Sequence, residues 1–322
     1  MISLEKIGIV GAGCYGTAIA QCFSQNAKKI LLISNSKTTA SSINNLHMNL
    51  RAFPGILLSP NIECTDVFSE IQNCGVVFFA LPMSKVLSVC RQIKKYGIKT
   101  PLVLCSKGFD AENGRLQSDA VEEILDNNFA VLSGPSFAHE IVQGLPAGVN
   151  IAGKDMKLSR CIAECLSTPM FKIEAIDDYI GLQVVGALKN VLAIGCGILS
   201  GLKFGGSAIS RLIVDGLREM AELSNALGGK KETIFELGGI GDVILTCTSR
   251  QSRNVLFGEY LATGGNLKNW TGELAEGVSS AKAIPLFERS HNISMVIFSE
   301  IYQAIYKNKN LCEVISRIIW RQ

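Results

Sequence analysis

The sequence predicts two successive architectures: an α/β domain over residues 1–178, in which short strands alternate with helices, and an all-α domain over residues 179–322. Three observations predict it. Lys6 to Val10 is an apolar run that ends in GAGCYG, and a helical pattern follows at once. Apolar runs and helical patterns then alternate up to Asp178, beyond which every pattern is helical, and this change of period places the boundary. The third observation is residues 179–202, an apolar stretch whose one charge is Lys189.

At 322 residues the chain is long enough for two cores. A charged content of 18% and a net charge of +3, without a basic run, exclude a nucleic-acid-binding surface. The 11 cysteines are an odd number, thinly spread and without a CxxC pair, so they read as reduced core residues rather than a disulfide scaffold. Only Cys161 and Cys165 lie one helical turn apart. The scattered His47, His139 and His291 give no metal site. The start, MISLEKIGIV, lacks a basic region, a long apolar core and a cleavage site, so no export signal is expected. Residues 179–202 are long enough to cross a bilayer. Their glycines (Gly181, Gly186, Gly195, Gly197 and Gly201) and the lack of flanking aromatic or basic anchors instead predict a buried helix and no membrane insertion.

Strand, glycine-rich turn and helix, in that order, are the setting in which G-x-G-x-x-G binds a dinucleotide in a Rossmann-type domain. Gly11 permits the turn, Gly13 lets the backbone approach a pyrophosphate, and Gly16 lets the helix pack on the strand; the helix N-terminus faces the phosphates. A second strand, residues 30–33, ends in Ser34, Asn35, Ser36 and Lys37. With no acid there for the ribose hydroxyls, NADP is expected, with NAD also accepted.

Residues 44–66, with Pro54, Gly55 and Pro60, read as an irregular connection. A buried strand follows at 76–80, an amphipathic helix at 84–95 and a strand at 102–105 that delivers SKGF at its carboxyl end, where open α/β sheets bind ligands. Lys107 is therefore a candidate anion or carbonyl contact. A helix is expected at 113–125. The strand at 129–132 runs into SGPSFAHE, where the turn at Gly134 and Pro135, with Ser136, offers amides to a cofactor or substrate. Strands at 147–151 and 171–174 flank a helix near 158–166.

In the second half, residues 207–227 carry Ile209, Leu212, Ile213, Met220, Leu223 and Leu227 on one helical stripe. GGIGDVILTCTSRQSRN follows. Its Asp242 is the one acid between Glu236 and Glu259, a candidate partner for a buried ammonium. Ser252, Arg253 and Asn254 stand just before a helical pattern at 255–261, and a guanidinium, a hydroxyl and a helix N-terminus together suit a phosphate. Residues 297–319 read as two helices broken near 308–310.

Lys189 needs a reason to be buried, because an unpaired ammonium in an apolar helix is costly. Gly186 and Ala193, on its face, leave a hollow beside it. Burial lowers a lysine's pKa toward the range of useful proton exchange. Lys189 is accordingly the candidate acid/base residue of an active site.

Taken together and in order, GAGCYGTAIA, SKGF, SGPSFAHE, GALKNVLAIGCGI, GDVILTCTSRQSRN and AEG resemble the bacterial NAD(P)-dependent glycerol-3-phosphate dehydrogenase family over nearly the whole chain. The resemblance implies a Rossmann-type domain followed by an all-α substrate domain, and interconversion of dihydroxyacetone phosphate and sn-glycerol 3-phosphate. It also implies supply of glycerophospholipid backbone, a cytoplasmic location and a homodimer. By the resemblance Lys189 is the acid/base residue with Lys107 and Asp242 beside it. Gly134, Ser136, Ser252, Arg253 and Asn254 touch substrate, Arg253 also nearing the cofactor. Cys14, Tyr15, Asn35, Ala138, Leu274 and Glu276 fall at cofactor positions.

Four departures stand out. Cys14 replaces a usual serine, Asn35 a histidine or arginine, and Ala52 an aromatic, all bearing on cofactor grip; SAISR at 207–211 replaces an N-A-R pattern and bears on rate. Two rivals share parts of the pattern. One is a hydroxy-acid dehydrogenase with the same pair of domains, and the other a non-catalytic nucleotide-sensing module.

Overall fold

The computed structural model describes residues 4–273, 275–307 and 309–319. These pack as two compact units, one of residues 1–106 with 117–179 and the other of residues 107–116 with 180–322.

The first unit is built on one eight-stranded sheet: β1 (Lys6–Val10), β2 (Lys29–Ile33), β3 (Ile62–Thr65), β4 (Val76–Phe79), β5 (Leu102–Leu104), β6 (Phe129–Ser133), β7 (Ala147–Gly153) and β8 (Phe171–Ile176). Their order is β3-β2-β1-β4-β5-β6-β7-β8. Neighbours run parallel except β6 and β7, which pair antiparallel with Ser133 opposite Asn150. Strands such as β4, VVFF, are buried at every position, as a sheet covered on both faces requires. The helices are α1 (Cys14–Phe23), α2 (Lys37–Leu46), α3 (Met83–Tyr96), α4 (Gln117–Ile124), α5 (Ala138–Val142) and α6 (Met156–Leu166). Each has local causes. In α3, Val86, Val89, Cys90 and Ile93 form the buried stripe, and Gly97 ends the helix at φ 63°. Ser36 caps α2 and Asp155 caps α6 through their side-chain oxygens.

Two segments differ from their sequence expectation. The irregular connection of residues 44–66 contains β3, an edge strand of four residues with alternating burial, too short to register as a period. The helix expected from residue 113 starts at Gln117. Asp110 closes a turn instead, accepting from the Glu112 amide at 3.0 Å and from Asn113 Nδ2 at 3.1 Å, with Gly114 at φ 63°.

The second unit is organised on α7 (Tyr179–Gly201), of which residues 181–199 are all buried. It is the one described helix long and apolar enough to cross a membrane, and its apolar surface is taken up by protein. Around it run α8 (Gly206–Ala226), α9 (Asp242–Thr248), α10 (Arg253–Ala262), α11 (Glu276–Ala281), α12 (Ile284–His291), α13 (Val296–Tyr306) and α14 (Leu311–Ile319). Glycines let the neighbours close in. A Cβ on Gly197 would collide with the Val255 carbonyl and one on Gly258 with the Ile194 carbonyl, so α7 and α10 touch backbone to backbone. A Cβ on Gly195 would come within 2.7 Å of the Ile301 side chain of α13, and one on Gly216 of α8 within 2.6 Å of Leu192. Glu219 of α8, 5% exposed, caps α13 by accepting from the Ile297 amide at 3.0 Å. Residues 107–116 belong to this unit by packing: Phe109 is 1% exposed with its ring centroid 4.8 Å from that of Phe287.

Candidate functional site

In the second unit an acid and two bases meet below the surface. Lys189 lies midway along α7, 5% exposed, and its Nζ donates to Asp242 Oδ1 at 2.6 Å and to Thr246 Oγ1 at 2.7 Å. The other carboxylate oxygen, Asp242 Oδ2, accepts from Lys107 Nζ at 2.9 Å. Asp242 is the first residue of α9, directly after a kinked turn at Leu237–Gly241 whose backbone is non-helical at Gly239. That turn needs Gly239, where a Cβ would strike the carbonyl oxygens of Thr233 and Ile234. Thr246 sits one helical turn beyond Asp242 on the same face.

Burial sets the electrostatics. It pulls the Lys189 ammonium down to about 8, opposed by Asp242 and aided by the like charge of Lys107. Burial alone would raise the Asp242 carboxyl, but Lys107 and Lys189 outweigh it and hold the group below its ordinary range. Asp242 is thus an anion between two cations, one of them poised to lose its proton near neutrality. Cys247 donates its thiol to the Lys189 carbonyl at 3.9 Å, and burial pushes that thiol well up, with Cys196 adding to the shift. It stays protonated and takes no part in charge balance.

A second layer holds the cluster. Asn190 Nδ2 donates to the Lys107 carbonyl at 3.2 Å, Asn254 Nδ2 to Asn190 Oδ1 at 3.0 Å, and the Gly277 amide to Asn254 Oδ1 at 3.0 Å. Ser252 caps α10 by accepting from the Val255 amide at 3.4 Å. Arg253, the first residue of α10, stands half exposed with its guanidinium 3.3 Å from Glu273. Partial burial raises the Glu276 carboxyl, against the pull of Arg253, Lys107 and Lys189. Arg211, in the departing SAISR segment, pairs along its own helix with Asp215 at 3.3 Å.

In the first unit the glycine-rich turn joins β1 to α1. Gly11 has φ 114° and the Gly11 amide bonds the Ile33 carbonyl at 3.0 Å. A Cβ at Gly11 would strike the Ala80 carbonyl, and one at Gly16 the Gly11 carbonyl. At Gly13, by contrast, no described atom lies within 4 Å of such a Cβ, and no side chain caps the first turn of α1. Open space at a glycine that begins a helix is what a pyrophosphate requires, so these residues fit a dinucleotide. Asn49, fully buried, braces the turn by donating to the Ala12 carbonyl at 3.0 Å and Thr17 Oγ1 at 2.8 Å. Cys14 is exposed, its sulfur 4.0 Å from the Ala52 carbonyl, and Tyr15 is partly buried beside it. Asn35 is exposed just past the carboxyl end of β2, and Ala138 opens α5, which packs on α1. Gly134 follows β6, and a Cβ there would come within 2.6 Å of the Val149 Cα; Ser136 donates to the Gly134 carbonyl at 2.8 Å.

The structure therefore gathers Lys107, Lys189, Asp242, Asn254 and Glu276 in one unit, with Ser252 and Arg253 at the adjoining helix start. It gathers Gly11, Gly13, Cys14, Tyr15, Gly16, Asn35 and Ala138 in the other, with Gly134 and Ser136 after β6. Leu274 lies outside the described residues. Sequence reasoning missed Thr246, Asn190 and Asn49. Thr246 carried a signal in its four-residue spacing from Asp242, Asn190 in being next to Lys189, and Asn49 carried none.

Comparison with known proteins covers both units. Residues 6–159 match the N-terminal model, and residues 178–316 the C-terminal model, of NAD-dependent glycerol-3-phosphate dehydrogenase. A glycerol-3-phosphate dehydrogenase (NAD(P)+) of Caulobacter vibrioides is 37% identical over 92% of this chain and 91% of its own. One from Zymomonas mobilis is 36% identical over 98% of this chain and 93% of its own. The crystal structure of glycerol-3-phosphate dehydrogenase from Coxiella burnetii superposes with a TM-score of 0.92 at 30% identity, covering 98% of this chain and 99% of that one. With both halves matched in order and nearly end to end, the chain belongs to the NAD-dependent glycerol-3-phosphate dehydrogenase family.

Proposed function

We propose that this protein interconverts dihydroxyacetone phosphate and sn-glycerol 3-phosphate with NADP(H), accepting NAD(H) as well. In this reading it works in the cytoplasm as a homodimer and supplies the glycerol backbone of phospholipids. The single observation that carries the chemistry is the Lys189 ammonium, bonded to Asp242 and Thr246 and lowered to about 8.

The chemistry a nicotinamide supplies when bound is two-electron reduction of the carbonyl carbon. Negative charge then grows on the carbonyl oxygen, and the enzyme must neutralise it. Lys189 Nζ gives its proton to that oxygen. In the oxidation direction the neutral amine takes the proton from the alcohol. Asp242 holds the amine in place and favours its recharging, and Lys107 adds positive potential toward the oxygen. Arg253, with Ser252, Asn254 and the start of α10, holds the phosphate, the guanidinium being geometrically suited to two phosphate oxygens. Gly134 and Ser136 serve the substrate. Gly11, Gly13, Cys14, Tyr15, Gly16, Asn35, Ala138, Lys107, Arg253, Leu274 and Glu276 serve the dinucleotide.

The test is oxidation of NADPH and of NADH by the purified protein with dihydroxyacetone phosphate, followed by absorbance. No oxidation of either would refute the reading and leave a nucleotide-sensing module. Arg253→Ala separates the phosphorylated substrate from a hydroxy acid: KM for dihydroxyacetone phosphate should rise by about tenfold or more, as for loss of a charge-assisted hydrogen bond. An unchanged KM would point to a substrate without the phosphate.

A further inference from the structure

Two side-chain amides carry a directed chain of hydrogen bonds across the helical unit. It starts at the Gly277 amide on α11, passes through the carboxamides of Asn254 on α10 and Asn190 on α7, and ends on the Lys107 carbonyl, with links of 3.0, 3.0 and 3.2 Å. Both asparagines are sealed, Asn190 at 5% and Asn254 at 7% exposure. Each presents its oxygen toward α11 and its nitrogen toward Lys107. Turning either amide over would set N–H against N–H or oxygen against oxygen, and a buried group so mismatched costs about 1–3 kcal/mol. The chain is therefore locked in one direction, and what it locks at the far end is the main chain of a residue whose ammonium sits 2.9 Å from Asp242.

We propose that Asn190 and Asn254 are positioning residues, an amide relay that fixes the backbone of Lys107 to α7, α10 and α11 and so holds its ammonium against Asp242. The relay acts on Lys189 only through that contact, and the inference rests on the reading of Lys189 as the acid/base group. The charged or titratable groups facing Lys189 are Asp242 and Cys247 of α9, Lys107, and Glu276 at the start of α11. With the relay cut, Lys107 drifts from Asp242. Lys189 then loses a like charge and keeps the whole carboxylate, so it binds its proton more tightly.

The experiment is a titration of Lys189 in the full-length protein without substrate, by NMR of 13C-labelled lysine with the signal assigned from Lys189→Ala. Asn190→Ala and Asn254→Ala should each move the titration upward by about one unit, the scale of one neighbouring charge, and lower kcat about tenfold or more through misplacement. Lys107→Gln should give the same upward shift, and adding Asn190→Ala to it should add nothing. Should Asn190→Ala fail to fold, Asn254→Ala carries the same expectation from the other link. A folded variant with an unmoved Lys189 titration overturns the relay, as does a full further shift in the Lys107→Gln background. A Lys189→Ala protein with normal turnover would defeat the acid/base reading alone, because the titration does not depend on catalysis.

Discussion

The turn that opens α1 and the cluster on α7 are made of opposite materials. The turn is almost all backbone: three glycines within six residues, two of which leave no room for a Cβ while the third, Gly13, borders open space at the start of α1. The cluster is almost all side chain, drawing Lys107, Lys189 and Asp242 from positions separated by 82 and 53 residues (189 − 107 and 242 − 189). A backbone site is written locally and tolerates change around it. A side-chain site depends on the whole packing of its unit, and its parts lose meaning singly.

The sharpest way to break this contrast is Asp242→Asn. The buried Lys189 ammonium and the partly buried one of Lys107 would lose their shared counter-charge, and removing one partner of a buried pair costs about 3–5 kcal/mol. Thermal or urea unfolding should register that loss, whereas a loss under one would mean the cluster is far wetter than its burial implies. Next in size is Lys189→Ala. Turnover should fall about a hundredfold or more, the scale of lost general acid catalysis, while NADPH affinity by fluorescence titration stays put. Near-normal turnover would remove Lys189 from the proton step.

Gly13→Ala probes the other material. No described atom stands within 4 Å of the added Cβ, so the melting temperature should hold, yet the methyl occupies the approach to a pyrophosphate. Dinucleotide affinity should weaken about tenfold, close to 1.4 kcal/mol. A variant that binds normally would place the phosphates elsewhere. The smallest effect is in the wild-type pH profile. Reduction uses the ammonium, so its rate should fall as pH rises through about 8, and oxidation uses the amine, so its rate should fall below that point. Profiles that do not mirror each other would assign the proton to another group.

The same contrast explains what could be read from the sequence. The glycine turn, its strand and its helix were legible because their causes lie within 20 residues of one another. Lys189 was legible because one charge in a long apolar helix demands compensation, and Asp242 because it is an isolated acid in an apolar setting. The Lys189–Thr246 bond was not legible: a threonine on a helix has many innocent uses, and only the packing of α9 on α7 brings it to the ammonium. The antiparallel pairing of β6 with β7 left no mark either, since both strands are apolar runs whose direction is set by the connection between them. The amides of Asn190 and Asn254 each look like ordinary polar residues beside the positions that drew notice.

Because residues 107–116 pack with the helical unit, the polypeptide passes from one unit to the other three times, after Ser106, after Leu116 and after Tyr179. A cut at residue 178 therefore does not divide the enzyme into a nucleotide half and a chemical half. The C-terminal fragment would keep Lys189 and Asp242 but leave one carboxylate oxygen without its ammonium and the ring of Phe287 without Phe109. Mixing separately made halves can restore the set only if the N-terminal piece threads its ten-residue excursion back into place, which makes complementation of split chains a readout of that excursion.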